Sequence, residues 1–180
     1  EKGNITSSLI LLILVIFSYV CVRQYTGFIF NKRDISEINI IIEISSVLLP
    51  FLLWCGVNWS LSTLMEGKGT FKNIFIASSY ALTLIILLNI PATIISNYMI
   101  MEEGSFYYFF LSLGTVWALV LLISGTMVTH QYDLSKTLLT IVSIIIGMGF
   151  ALFIGLLAIG VVDIMVKFIS DIYKEIIFKL

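Results

Sequence analysis

Met65 to Phe75 reads MEGKGTFKNIF, and the fold turns on how this stretch is understood. Gly67, Lys68, Gly69 and Thr70 look like the end of a phosphate-binding loop, which would belong to an α/β nucleotide-binding protein. Such a loop needs a first glycine, four residues, then Gly-Lys-Ser/Thr between a strand and a helix. Here Lys68 is followed by Gly69, Ser62 stands where the first glycine belongs, and both flanks are long apolar runs. The segment therefore reads as a tight loop between two membrane spans and binds no nucleotide. Its glycines are expected to supply positive φ, with Thr70 or Asn73 capping the helix that follows.

The rest of the chain agrees with the membrane reading. Hydrophobic residues make up 59% of it and charged residues 12%. The mean hydropathy of +1.09 lies outside the range of water-soluble domains. The apolar residues fall into five blocks: Ile5–Val22, Ile44–Leu64, Asn73–Ile100, Phe106–Val128 and Thr137–Val162. Each is about long enough to cross a hydrocarbon core of roughly 30 Å at about 1.5 Å per residue. The expected fold is an all-α polytopic membrane protein, with a five-span domain over residues 1–162. Pro91 should kink or break the third span.

After the last span, Asp163 to Leu180 changes character. Asp163, Lys167, Ser170, Asp171 and Lys174 recur at three- and four-residue steps, with Met165, Phe168, Ile169, Ile172 and Ile176 opposite. That pattern predicts an amphipathic helix over 163–180, lying in the membrane interface and not crossing it. Asp34 to Glu43 mixes acids with isoleucine and reads as a second interfacial piece. Thr6, Ser7 and Ser8 offer hydroxyls to cap the first span. Small residues four apart predict close helix contacts: Gly147, Ala151 and Gly155, then Gly56 with Ser60, and Gly114 with Ala118.

Several function classes drop out. A net charge of −1 argues against nucleic acid as a partner. Cys21 and Cys55 sit inside apolar blocks and read as small hydrophobes; their spacing supports neither a metal site nor a disulfide. The first block is too long for a signal peptide and lacks its cleavage site. The chain opens at Glu1 and not Met, so a leading segment is expected to be missing. The single histidine, His130, cannot make an HExxH zinc site. Paired with Ser124 or Ser135 it could imitate a nucleophile pair, but no Gly-x-Ser-x-Gly elbow accompanies it. It reads as an interfacial residue meeting the carbonyls at the end of span four. No catalytic residue, cofactor or metal is expected.

The assigned spans contain no Asp, Glu, Lys or Arg, which ion pumps and proton-coupled carriers need. Asn58, Asn89 and Asn97 are the strongest polar groups at depth. They read first as interhelical hydrogen-bonding groups; the alternative is a polar cavity lined by Asn58 and Asn89 beside the Pro91 break. Trp54, Trp59, Tyr98, Tyr107, Tyr108 and Tyr132 fit an aromatic belt or packing role. Orientation by charge is divided. Lys68 and Lys72 in one loop favour an inside N-terminus, while Arg23, Lys32, Arg33, Lys167, Lys174 and Lys179 argue the other way.

The runs LPFLLWCGVNWSLSTLMEGKGTFKNIFIASSYAL (49–82), MEEGSFYYFFLSLGTVW (101–117) and GTMVTHQYDLSKTLLTIVSIIIGMG (125–149) resemble the bacterial branch of the Yip-one domain family, named for Ypt/Rab-GTPase-interacting membrane proteins. The resemblance covers Ile5 to the C-terminus and is most specific in Met65–Phe75 and Gly125–Lys136. It implies five spans and a cytosolic N-terminus, hence an outside C-terminus. Eukaryotic members engage small GTPases through an N-terminal region with an Asp-Leu-Tyr-Gly-Pro-like motif; that motif is not in this sequence, so GTPase binding does not carry over. Bacterial relatives are commonly encoded near ABC-type transporter components, often for carbohydrates, which implies an accessory role. The family offers no catalytic residues to transfer.

These readings converge on a non-enzymatic module of the cell membrane, surrounded by lipid and docked on another membrane protein such as a transporter permease. Glu66, Lys68, Thr70 and Lys72 would contribute an inner-face contact. The competing reading is a small transport or lipid-handling protein using the Asn58, Asn89 and Pro91 region.

Overall fold

A computed structural model describes residues 3–31 and 38–178. Among them α1 runs Ile5–Tyr25, α2 Ile40–Leu64, α3 Phe71–Ala81 and α4 Thr83–Ser96. A short 3-10 turn, Met101–Glu103, leads into α5, Gly104–His130, and α6, Leu134–Phe178, closes the chain. With α3 and α4 counted as one span, five helices among the described residues are long and apolar enough to cross a membrane.

Helix α1 packs chiefly on α4 and α3, α5 lies against α4 and α3, and α2 pairs with α6. Leu12, Phe51, Cys55, Ile74 and Phe75 form a core where α1, α2 and α3 meet, with Phe51 and Phe75 edge to face at 5.3 Å. Small hydroxyl residues let the helices approach. Ser18 donates to the Val15 carbonyl at 2.8 Å, Ser79 to Phe75 at 2.8 Å and Ser96 to Thr93 at 2.7 Å. Each buried hydroxyl is thus satisfied inside its own helix and adds little bulk between helices.

Four expectations change. The break in the third span falls at Leu82, not Pro91; α4 continues through Pro91, which sits on its exposed side. A proline forfeits one backbone bond, but its fixed φ suits a helix. Helix α2 starts at Ile40, capped by the Asn39 side chain accepting from Ile41 N–H at 3.0 Å. Residues 40–43 therefore belong to the span and not to an interfacial piece, while 34–37 lie outside the described residues. Glu43 is buried there and lies 3.6 Å from Arg23, which α1 carries past its predicted end. The start of α1 is capped by Asn4, whose side chain accepts from Thr6 N–H at 3.1 Å, and not by the Thr6–Ser8 hydroxyls.

The fourth change concerns the C-terminus. No separate amphipathic helix begins at Asp163: α6 is one uninterrupted helix of 45 residues. At about 1.5 Å per residue it is more than twice the roughly 30 Å hydrocarbon thickness. Gly160 and Asp163 do not interrupt the backbone ladder, and with no proline nearby the helix carries straight through. The amphipathic spacing remains, with Lys167 bonded to Asp163 at 2.7 Å. From Leu152 to Glu175 every residue except Ser170 is exposed.

The small-residue steps divide along the same line. A Cβ on Gly147 would meet Val57 Cγ1 of α2 at 2.7 Å, and one on Gly114 would meet Leu88 Cδ1 of α4 at 3.3 Å. At Gly155 and Gly56 it would meet nothing within 4 Å. Close approach holds at the first two and not within this chain at the others.

Candidate functional site

The two most distinctive stretches of the sequence meet in space. The Met65–Thr70 loop joins α2 to α3, and residues 125–136 form the end of α5, the turn to α6 and its first residues. Helix α5 ends at Gln131, which adopts a left-handed conformation (φ 58°) and donates its backbone N–H to Met127 O. Tyr132 N–H reaches the same carbonyl at 3.0 Å. This closure satisfies the last carbonyls of the helix and turns the chain back sharply.

His130 sits at the centre and is 1% exposed. Its Nε2–H donates to Asn58 Oδ1 of α2 at 2.9 Å. Tyr132 stacks on the imidazole, with centroids 5.2 Å apart and planes at 22°. The phenol donates to the Met65 carbonyl at 3.1 Å, and Lys136 places its ammonium 4.6 Å from the centre of the phenol ring. Thr140 Oγ1, one turn along α6, reaches Met65 Sδ at 3.3 Å. One histidine–tyrosine pair thereby ties α2, the loop, α5 and α6 together.

The glycines of the loop now have a different explanation. Neither takes a positive φ; that conformation falls on Glu66 (φ 56°) instead. Their role is space. A Cβ on Gly67 would lie 2.5 Å from the Tyr132 hydroxyl and 2.7 Å from His130 Nδ1, and one on Gly69 would lie 2.6 Å from His130 Cε1. Only a bare backbone can lie this close to the ring. Glu66 and Gln131 are the non-glycine residues with positive φ among the described residues, and both sit here. Each such conformation costs about 1–2 kcal/mol, which the surrounding bonds offset.

His130 does close span four, but its ring meets a side-chain amide and not the helix carbonyls. It is buried, and the amide of Asn58 takes its Nε2 proton. Its Nδ1 is buried with no hydrogen-bond partner among the described residues, turned toward the loop glycines. Ser124 donates to the Val120 carbonyl at 2.9 Å on the exposed side of α5, and Ser135 stands exposed at the start of α6. Burial pushes the Tyr132 phenol above its ordinary pKa, and the nearby Glu66 carboxylate adds to the shift. Among the described residues, no three of His, Cys, Asp or Glu gather where they could hold a metal ion.

The four residues expected at a contact surface are distributed unequally. Lys68, Thr70 and Lys72 line one cleft of about 650 Å³ with Asn73 and Gln131, while Glu66 lies outside it. Lys68 donates to Gln131 Oε1 at 2.9 Å, and Thr70 caps α3 by accepting from Asn73 N–H at 3.3 Å. The three cavity residues are not brought together. Asn58 is 1% exposed and engaged by His130, in a crevice with no room for a water molecule, whose lining includes neither Asn89 nor Pro91. Asn89 is half-buried on α4, where its carbonyl accepts from Thr93 at 2.7 Å.

Sequence reasoning missed the role of Tyr132 and the proximity of Arg23 and Glu43. The signal for Tyr132 was present: an aromatic two residues after the only histidine, beyond the end of an apolar run. The Arg23–Glu43 contact had no signal, because it depends on how α1 and α2 cross.

A family model described as the Yip1 domain matches residues 3–159, which takes in the first four spans and α6 as far as Ile159. No curated protein matches the chain, and no solved structure does. Proteins of the matching family are generally non-enzymatic membrane-trafficking proteins. A match over this much of the chain, on a bundle of five membrane-spanning helices, establishes that it is a polytopic membrane protein belonging to the Yip1 domain family.

Proposed function

We propose that this protein is a non-enzymatic docking module of the cell membrane, an accessory or assembly subunit for another membrane protein. The observation that carries this reading is the distal part of α6. From Leu152 to Glu175 it makes almost no buried contact. The uncharged run Thr137–Val162 already spans a hydrocarbon core of roughly 30 Å, so bilayer alone covers the first part. The residues beyond Asp163 still expose Met165, Phe168, Ile169 and Ile172. Apolar surface presented in this way marks an interaction face, and the alternating ion pairs leave one side of the helix wet.

A transporter permease, including one of the ABC type for carbohydrates, is the partner class this reading favours. The cleft of Lys68, Thr70 and Lys72, at the opposite end of the bundle, supplies a second, basic contact. In this arrangement the loop faces the cytoplasm, the N-terminus is cytoplasmic and the C-terminus lies outside. Nothing in the neighbourhood of Asn58, Asn89 and Pro91 favours the polar-cavity alternative, because the Asn58 amide is already engaged by His130.

Two experiments test the proposal. Native mass spectrometry of the full chain, extracted from its own membrane, should show a stoichiometric partner that is lost when the chain ends at Val162. Equal recovery of the partner with both chains would refute the role of α6, and a monomer in both would refute docking. A cysteine replacing Lys68 should resist labelling from outside intact cells; strong external labelling would invert the orientation.

A further inference from the structure

Between α1, α2, the α3–α4 break, α5 and α6 lies a cavity of about 370 Å³. Val15, Val47, Phe51, Leu82, Ile85 and Leu122 give it apolar walls. The polar side chains along it are already engaged. Trp54 Nε1–H donates to Ser78 Oγ at 3.1 Å, the Tyr19 hydroxyl accepts from Arg23 at 2.9 Å, and Ser46 donates to the Glu43 carbonyl at 2.7 Å.

Chemistry narrows the occupant. A buried water needs two to four polar partners, and apolar cavities of about 150 Å³ already stay dry and accept a benzene-sized guest. This space is more than twice that volume and offers few free polar groups, so its guest is apolar and longer than one ring. Its mouth is on α2, where Ser46 and Pro50 are exposed. Pro50 has no N–H to give the Ser46 carbonyl, leaving α2 one backbone bond short there. Tyr19 is shared with a neighbouring cleft of about 300 Å³ that sets Arg23, Asn31 and Thr26 among aromatic side chains, with Glu43 3.6 Å from Arg23. One end of the cavity is therefore charged and the rest is greasy, which is the polarity of a lipid.

We propose that this cavity holds a single aliphatic chain of a membrane lipid, entering past Pro50 with the headgroup left at the Arg23 end. The bilayer around five spans supplies such chains at high local concentration, and the proposal stands independently of any docking partner.

Trp54 lines the cavity and can report on it. Trp59 and Trp117, at 50% and 52% exposure, are replaced by Phe to leave Trp54 as sole emitter. The full chain is reconstituted in phosphatidylcholine vesicles with rising fractions of a phosphatidylcholine carrying a dibrominated acyl chain. Quenching of Trp54 should saturate at a low fraction of brominated lipid. Val15→Phe should abolish the saturating component, and Val47→Phe serves if that variant does not fold. Quenching that rises in simple proportion to brominated lipid, alike in filled and unfilled proteins, would overturn the proposal. A parallel titration with dibrominated free fatty acid identifies the source. Saturation by the free acid alone would overturn the assignment to a membrane lipid.

Discussion

The Met65–Lys72 end of the bundle and the distal part of α6 differ in how far the chain completes itself. At the loop end, His130, Asn58, Tyr132, Met65 and Thr140 join four segments, and the glycines leave no room for a side chain. Along α6 from Leu152 to Glu175 the same chain leaves an unbroken helix on which, among the described residues, only Ser170 is partly covered. The first region is expensive to build: two left-handed non-glycine residues and a buried imidazole are maintained by interlocking contacts. The second has no such internal support and keeps its apolar face only if something outside the chain covers it. An interlocked end and an uncovered end on one bundle fit the docking role proposed above.

The largest expected effect separates the two regions directly. Gly147→Leu pushes a branched side chain into Val57, where even a Cβ would sit at 2.7 Å, and should cost about 3 kcal/mol, the upper end of overpacking penalties. Gly155→Leu, two turns along the same helix, meets open space and should leave the thermal stability of the isolated protein unchanged. Thermal unfolding in detergent compares them. Equal losses would show that α6 is packed along its length.

Asn58→Leu comes next. It removes the acceptor of the His130 Nε2 proton and leaves both ring nitrogens buried without partners, at about 2 kcal/mol. The same measurement checks it, and an unchanged midpoint would show that the histidine is solvated in the folded protein.

Tyr132→Phe should cost about 1 kcal/mol through the lost bond to Met65, and it also changes the pH dependence. The folded state raises the phenol pKa above its unfolded value of about 10. The folded protein therefore holds this proton more tightly, and stability falls as pH rises from about 10 through the folded pKa. The Phe variant should lose that part of the alkaline decline. Identical slopes above pH 10 in both proteins would mean that Tyr132 does not titrate on unfolding.

Much of this architecture is legible in the amino-acid sequence. Span number follows from apolar block length because a bilayer demands it, and the place before an apolar run narrows the cap to Thr70 or Asn73, of which Thr70 is the one used. The engagement of Asn58 in an interhelical hydrogen bond was likewise readable from its depth. What the sequence hid is long-range. Gly67 and Gly69 look like turn residues, and only the approach of His130, some sixty positions later, reveals that they are there for space. The Leu82 break carries no local marker, whereas Pro91 carries a strong one and leaves the helix continuous. At the C-terminus, amphipathic spacing describes which face is apolar but not whether the helix bends away from the span before it.

The most direct test of the docking account is site-specific photocrosslinking in the native membrane. A benzophenone amino acid placed at Phe168, 65% exposed on distal α6, is compared with one at Ile94, 59% exposed on α4. The account predicts a discrete protein adduct of constant mass from position 168 and lipid adducts alone from position 94. Lipid adducts alone from both positions would contradict it.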